Sequence, residues 1–194
     1  MARTKVFDEN LVLDKAMNLF WKKGYNATSA QDLVDELGIS RSSLYDTFGD
    51  KHSLFIKALK RYRKERIDPI INNLEFTDDI EAYIKTVFEA VKTDSIDENF
   101  SKGCFMVNSA VELASVDDEV AKIIKSIKQD TENTLCKAIK KGQEQGIFST
   151  AHSARSLARF VFNSLNGLRV TIKSDISKQM FADIVKVCLT ALKK

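Results

Sequence analysis

Residues 28–51 run Thr28-Ser29-Ala30-Gln31-Asp32-Leu33-Val34-Asp35-Glu36-Leu37-Gly38-Ile39-Ser40-Arg41-Ser42-Ser43-Leu44-Tyr45-Asp46-Thr47-Phe48-Gly49-Asp50-Lys51. They read as two short helices joined by a tight turn. Thr28 and Gln31 have the spacing of a capping box, a hydroxyl at the N-cap and an amide side chain at N3. The helix they open ends near Glu36–Leu37. Gly38 follows, free to take the left-handed conformation that closes a helix. Ser40 is a fresh N-cap, and its helix continues to about Phe48 before Gly49 stops it. Asp50 then caps a longer helix from Lys51 past Tyr62. Leu33, Leu37, Ile39, Leu44 and Phe48 supply apolar contacts that hold the two short helices together. That leaves Arg41, Ser42, Ser43, Tyr45, Asp46 and Thr47 near or on the outer surface of the second. One guanidinium among short hydrogen-bonding side chains suits base edges and phosphates in a major groove.

Outward from this unit, residues 1–6 read as a short basic arm with Arg3 and Lys5. A first helix runs from about Asp8 to Lys23, with Val12, Ala16, Leu19 and Phe20 on one stripe and Gly24 as its stop. Three helices around a small core, the last two joined by a Gly-containing turn, describe a helix-turn-helix. Three runs carry a resemblance: Ala16-Met17-Asn18-Leu19-Phe20, Gly24-Tyr25-Asn26-Ala27-Thr28-Ser29, and Leu37 through Lys51. Together, over about residues 8–60, they resemble the DNA-binding domain of the TetR/AcrR family of bacterial transcriptional regulators. The resemblance implies a DNA-contacting set of Thr28, Ser40, Arg41, Ser42, Ser43, Tyr45, Asp46, Thr47 and Lys51. Asp46, acidic on the recognition helix, departs from the pattern; it either accepts from a cytosine amino group or faces solvent.

Bulk composition agrees with a helical protein. In 194 residues, 44% are hydrophobic and 29% charged, and only one proline and seven glycines interrupt the chain. That scarcity of turn residues favours an all-α fold of about nine helices over β architecture. The net charge is +3, and its distribution carries more than its size. Residues 1–66 hold 13 Lys+Arg against 9 Asp+Glu, and the remainder 17 against 18. The basic excess lies in the N-terminal third, as expected of the part that faces a polyanion. Cys104, Cys136 and Cys188 form no close-spaced pair and no metal pattern, which fits a reducing compartment. The first residues lack the apolar core of a signal peptide, and no stretch approaches the ~18 apolar residues of a membrane span. A cytoplasmic protein with no membrane partner is expected.

The expected organisation is a helix-turn-helix domain at 1–50, a connecting helix at 51–70, and a C-terminal helical bundle at 71–194. After Pro69 the polar run Asn72 to Asp79 marks the boundary. Helices are expected at about 78–93, 102–114, 117–144, 151–173 and 176–193, with an acidic loop at Asp94–Asn99 and Gly142 and Gly146 loosening the end of the third. The last helix is apolar on several sides, with Met180, Ile184, Val187 and Cys188 but also Phe181, Val185 and Leu192. Surface that wide serves either one core or a core and a partner. The resemblance favours the partner, since such repressors pair through their last two long helices.

Enzymatic chemistry finds little support. There is no Gly-x-Ser-x-Gly, no P-loop, no Gly-x-Gly-x-x-Gly and no His-Glu-x-x-His. His52, beside Lys51 at a helix start, reads as exposed, and neither it nor His152 has a second ligand at metal spacing. No cofactor is expected. Cys104 follows Lys102 and Gly103 at a helix N-terminus, where dipole and cation favour thiolate; it is either an electrophile sensor or a small buried hydrophobe. Tyr62, Tyr83, Phe88, Cys104, Phe105, Met106, Asn108 and Phe162 either line an effector cavity or form plain core. The resemblance implies a homodimeric repressor that grips near-palindromic operator DNA and is released by a small-molecule effector. The rival readings are an activator or nucleoid-type DNA binder without a ligand, and an all-α enzyme or adaptor on the same scaffold.

Overall fold

The computed structural model describes residues 7–97, 100–174 and 177–193. The basic arm expected at residues 1–6 lies outside them. The fold is all-α. Its helices are α1 (Glu9–Lys23), α2 (Ala30–Leu37), α3 (Arg41–Phe48), α4 (Lys51–Tyr62), α5 (Asp68–Asn73), α6 (Ile80–Ser95), α7 (Phe105–Leu113), α8 (Asp118–Glu144), α9 (Ala154–Thr171) and α10 (Lys178–Leu192).

Local chemistry sets most of these boundaries. Asp8, Ser40, Asp50, Asp117, Ser153 and Ser177 each accept backbone N–H groups that the first turn leaves unpaired. The start of α2 corrects the expectation by one residue. Ser29, not Thr28, is the N-cap, and its reciprocal partner is Asp32 rather than Gln31. Gly38 closes α2 at φ 67°, ψ 28°, the left-handed conformation that the turn needs.

Two segments depart from the sequence expectation. The connecting helix expected at 51–70 is broken into three helical pieces: α4 ends at Tyr62, and a π-helical turn at Arg63–Ile67 leads directly into α5, where Pro69 occupies the first turn and has no amide to lose. The polar run after it is helical as far as Phe76, with a short 3-10 turn at Leu74–Phe76. The acidic loop after α6 contains a two-residue antiparallel ladder, β1 (Ile96–Asp97) and β2 (Phe100–Ser101), pairing Ile96 with Ser101 and Asp97 with Phe100.

Two apolar cores organise the molecule. The first joins α1–α4 to α7 and the first half of α8: Phe20, Trp21, Leu33, Leu44, Phe55 and Tyr62 lie with Phe105, Leu113, Val120 and Ile127. The second joins α6, the end of α8, α9 and α10 around Ile84, Phe88, Leu135, Phe148, Val161 and Leu165. Apolar packing therefore does not break near residue 70. α7 is packed inside the same core as the N-terminal helices.

Candidate nucleic-acid interface

α3 is held by one face and open on the other. Leu44 and Phe48 are buried, while Arg41, Ser42 and Asp46 are exposed and Ser43, Tyr45 and Thr47 half-buried. The Ser40 hydroxyl caps α3 from the Ser43 amide at 3.1 Å and also meets the Ser42 and Ser43 hydroxyls at 3.0 and 2.9 Å. Ser40 thus orders the start of the helix. The face that remains for a nucleic acid is Arg41, Tyr45, Asp46 and Thr47, flanked by the two serines.

Thr28 does not join this face. It is fully buried, and its hydroxyl donates to the Gly24 carbonyl. The second of two consecutive hydroxyl residues took the cap, and the first was turned inward to close the preceding turn. Lys51 opens α4 with its ammonium 4.3 Å from the centre of the Tyr25 ring, a cation–π contact. Burial pulls the Lys51 pKa below its ordinary value, while the charges of Glu112 and Asp32 act in the opposite sense. Burial likewise pushes Tyr25 upward, with Asp50 and Asp117 adding to it.

Several residues outside the expected DNA-contacting set hold this region in place. Glu112 of α7 accepts the Tyr25 and Asn26 amides at 3.0 and 2.7 Å. His52, expected to be exposed, is half-buried with Nε2 2.7 Å from Asp117 Oδ2 at the start of α8. The Trp21 indole donates to the Gly103 carbonyl at 3.2 Å. These contacts link positions 65 to 87 residues apart, so no periodicity could have signalled them.

Seven of the eight residues weighed as effector-lining fall in the two apolar cores. Tyr62, Cys104, Phe105 and Met106 belong to the first core, and Tyr83, Phe88 and Phe162 to the second. The Cys104 sulfur lies 3.2 Å from the Tyr62 hydroxyl, and Cys104 is 2% exposed as the N-cap of α7. The Tyr62 ring meets Trp21 and Phe105 edge-on at 5.0 and 5.7 Å. The Tyr83 hydroxyl donates to the Ile70 carbonyl, and burial pushes its pKa up to about 12. Asn108 donates to the Lys102 carbonyl and accepts from Lys173. Met106 and Phe162 share an open groove of about 600 Å³ between α7, α8 and α9, with Val107, Val111 and Ile124.

A buried-backed helix with a polar outer face, preceded by a left-handed turn, has the form of a recognition helix. Comparison with known proteins agrees. The family described as "Bacterial regulatory proteins, tetR family" matches residues 12–58, and "Tetracyclin repressor-like, C-terminal domain" matches residues 79–186. The chain belongs to the TetR family. It is 32% identical over 193 residues to the uncharacterized HTH-type transcriptional regulator YezE of Bacillus subtilis (strain 168), covering 99% of this chain and 100% of that one. It is 31% identical over 192 residues to the HTH-type transcriptional repressor ComR of Escherichia coli (strain K12), covering 96% and 90%. Among solved structures, a cysteine mutant of the TetR family regulator CifR superposes with a TM-score of 0.86 at 22% identity, over 98% of this chain and 100% of that one. As a TetR-family member, the protein is a DNA-binding transcriptional regulator, and α2–α3 is its helix-turn-helix. Among the described residues no helix is long and apolar enough to cross a membrane.

Proposed function

We propose that this TetR-family regulator is a ligand-responsive repressor that binds a near-palindromic operator as a homodimer in the cytosol. The observation that carries the reading is the outer face of α3, where Arg41 and Asp46 are exposed and Tyr45 and Thr47 half-buried over a buried Leu44–Phe48 anchor, with Lys51 opening the next helix. The groove-facing set is then Arg41, Ser42, Ser43, Tyr45, Asp46, Thr47 and Lys51, with Ser40 ordering the helix. ComR bears the name of a transcriptional repressor, and the CifR mutant was solved with 26-bp double-strand operator DNA.

A second copy fits the last two long helices. Phe160, Val170, Met180 and Val187 are exposed along α9 and α10 at 43%, 53%, 44% and 65%, and Gly167 has open space where a side chain would be. Pairing would remove that apolar stripe from water. The division of labour is a DNA-reading part at 1–50, a connecting segment at 51–70 and an effector-binding and pairing part at 71–194. The effector occupies the groove beside Met106 and Phe162 and acts by preferring one spacing of the two recognition helices; without differential affinity it could shift nothing.

The test is footprinting of the purified protein across the promoters of its own gene and its neighbours. A protected, nearly two-fold symmetric site is expected, together with reduced transcription from the same promoter. Absence of any protected site, or stimulation of transcription on binding, would count against a repressor.

A further inference from the structure

We propose that Glu112, which lies on α7 outside the DNA-reading helices, is a positioning residue for DNA recognition. Its carboxylate holds the turn after α1, and through that turn the Tyr25–Lys51 pair at the edge of the interface. The inference rests on DNA binding by α3 and adds to it a contact that sets the height and orientation of the reading surface.

The geometry is a two-pronged clamp. Oε1 accepts the Asn26 N–H at 2.7 Å and Oε2 the Tyr25 N–H at 3.0 Å. Both amides lie just beyond the end of α1, where the Gly24 amide makes the last helical bond, to the Phe20 carbonyl. An ionised carboxylate holding two backbone amides makes charge-assisted bonds, stronger than neutral ones. Gly24 leaves room for this approach. A Cβ there would lie 3.0 Å from Oε2 and 3.4 Å from Oε1, and the backbone sits at φ +86°, which side chains resist.

What the clamp holds is a functional ring. The Tyr25 ring supports the Lys51 ammonium at 4.3 Å and packs edge-on against Phe55 at 5.0 Å. Phe55 in turn meets Phe105, in the first turn of α7, at 5.5 Å. Both ends of α7 therefore bear on the same small region, Phe105 through the aromatic stack and Glu112 through the backbone. A shift of α7 cannot be absorbed by loosening one contact alone, because packed interiors transmit displacement.

Electrostatics supplies a test whose sign separates positioning from charge. Glu112 is an anion near Lys51. On charge alone, Glu112→Gln removes a repulsion from phosphate and should strengthen DNA binding. On positioning, the same variant loses an acceptor, and its amide nitrogen meets a backbone N–H it cannot bond, so binding should weaken. The probe is a duplex selected from a random pool by the unsubstituted full-length protein, titrated by fluorescence anisotropy at fixed salt. Glu112→Gln is expected to lose about tenfold in affinity for it, the worth of roughly one charge-assisted hydrogen bond. Glu112→Asp keeps the charge but withdraws the carboxylate by one methylene, and should also weaken binding. Amide hydrogen exchange at Tyr25 and Asn26 should accelerate in both variants while native circular dichroism is retained. Equal or tighter binding by folded Glu112→Gln would overturn the proposal, as would unchanged exchange at the two amides. If no duplex can be selected, sequence-specific binding itself fails, and the exchange measurement still decides whether the clamp exists.

Discussion

Arg41 opens α3 and Lys51 opens α4, and different work is expected of them. Arg41 is exposed at the first position of α3, where a guanidinium can reach a guanine edge. Arg41→Ala is expected to relax base preference, costing ~1–3 kcal/mol at one base pair. Lys51 is tethered on the Tyr25 ring, and on the proposed reading its point charge meets the DNA backbone. Replacing it, or Tyr45, should weaken binding to all sequences, and Lys51→Ala should reduce the salt slope by about one. Binding measured on a panel of single-base variants at several salt concentrations checks both; loss of base preference on Lys51→Ala with none on Arg41→Ala would reverse the assignment. Cys104 is a third residue with a clear expectation. At 2% exposure, with its sulfur against the Tyr62 hydroxyl, it should react slowly with a thiol reagent in the native protein. Cys136 is only partly buried and should label first. Fast native labelling of Cys104, with release of DNA that Cys104→Ser abolishes, would establish the electrophile-sensing alternative instead.

Individual helices carry their own tests. Gly142 reads as a weak point near the end of α8, yet it is buried and has a structural use. The Phe148 ring occupies the space a side chain would take: an added Cβ would lie 2.3 Å from Cδ2. Ala outranks Gly in a helix by ~1 kcal/mol, whereas overpacking a filled core costs ~1–3 kcal/mol. Phe148 is fully buried and has nowhere to swing, so the second effect should win and Gly142→Ala should lower the urea midpoint. A raised midpoint would show that the ring can move. The helix starts also respond to acid. Backbone hydrogen bonds from Val120 and the His52 contact depress the Asp117 pKa, and a backbone bond from Ser53 depresses Asp50. The sign follows from linkage: a carboxylate with a lowered folded pKa stabilises above its unfolded value and loses that stability as pH falls through the folded one. Thermal midpoints should therefore drop on acidification below about pH 4, near the ordinary aspartate pKa. Asp117→Asn should shallow that drop; an identical profile would remove Asp117 from the account.

At the scale of the whole molecule, two cores side by side give the chain its working form. The first binds the DNA-reading helices to α7 and the start of α8; the second packs α6, α9 and α10. A rigid link between reader and body matters only if the body fixes the spacing of two readers, which requires a pair. Sedimentation should give a dimer at micromolar concentration, and half-site centres should fall ~34–36 Å apart or a multiple of that. Val187→Glu, on the exposed stripe of α10, should favour monomers and cost operator affinity together. A monomer that keeps tight operator binding would refute the pairing.

Much of the helical architecture was legible in the chain because its causes are local. Capping residues at Asp8, Ser40 and Asp50, the left-handed Gly38 and the spacing of apolar residues act within one or two turns. The polar face of α3 was legible for the same reason, since Leu44 and Phe48 had to turn inward. Choices between equivalent local solutions were not. Thr28 and Ser29 can each cap a helix, and only the burial of Thr28 against the end of α1 decided between them. The polar run after Pro69 marked a boundary by its composition, but α5 and a 3-10 turn carried the helical chain into it as far as Phe76. The candidate effector residues were split between two cores, because aromatic composition records that a side chain is buried and not which neighbours bury it. Glu112 shows the same limit most sharply: on its own helix it is one more acid, and only the fold brings it to two amides 86 and 87 residues away.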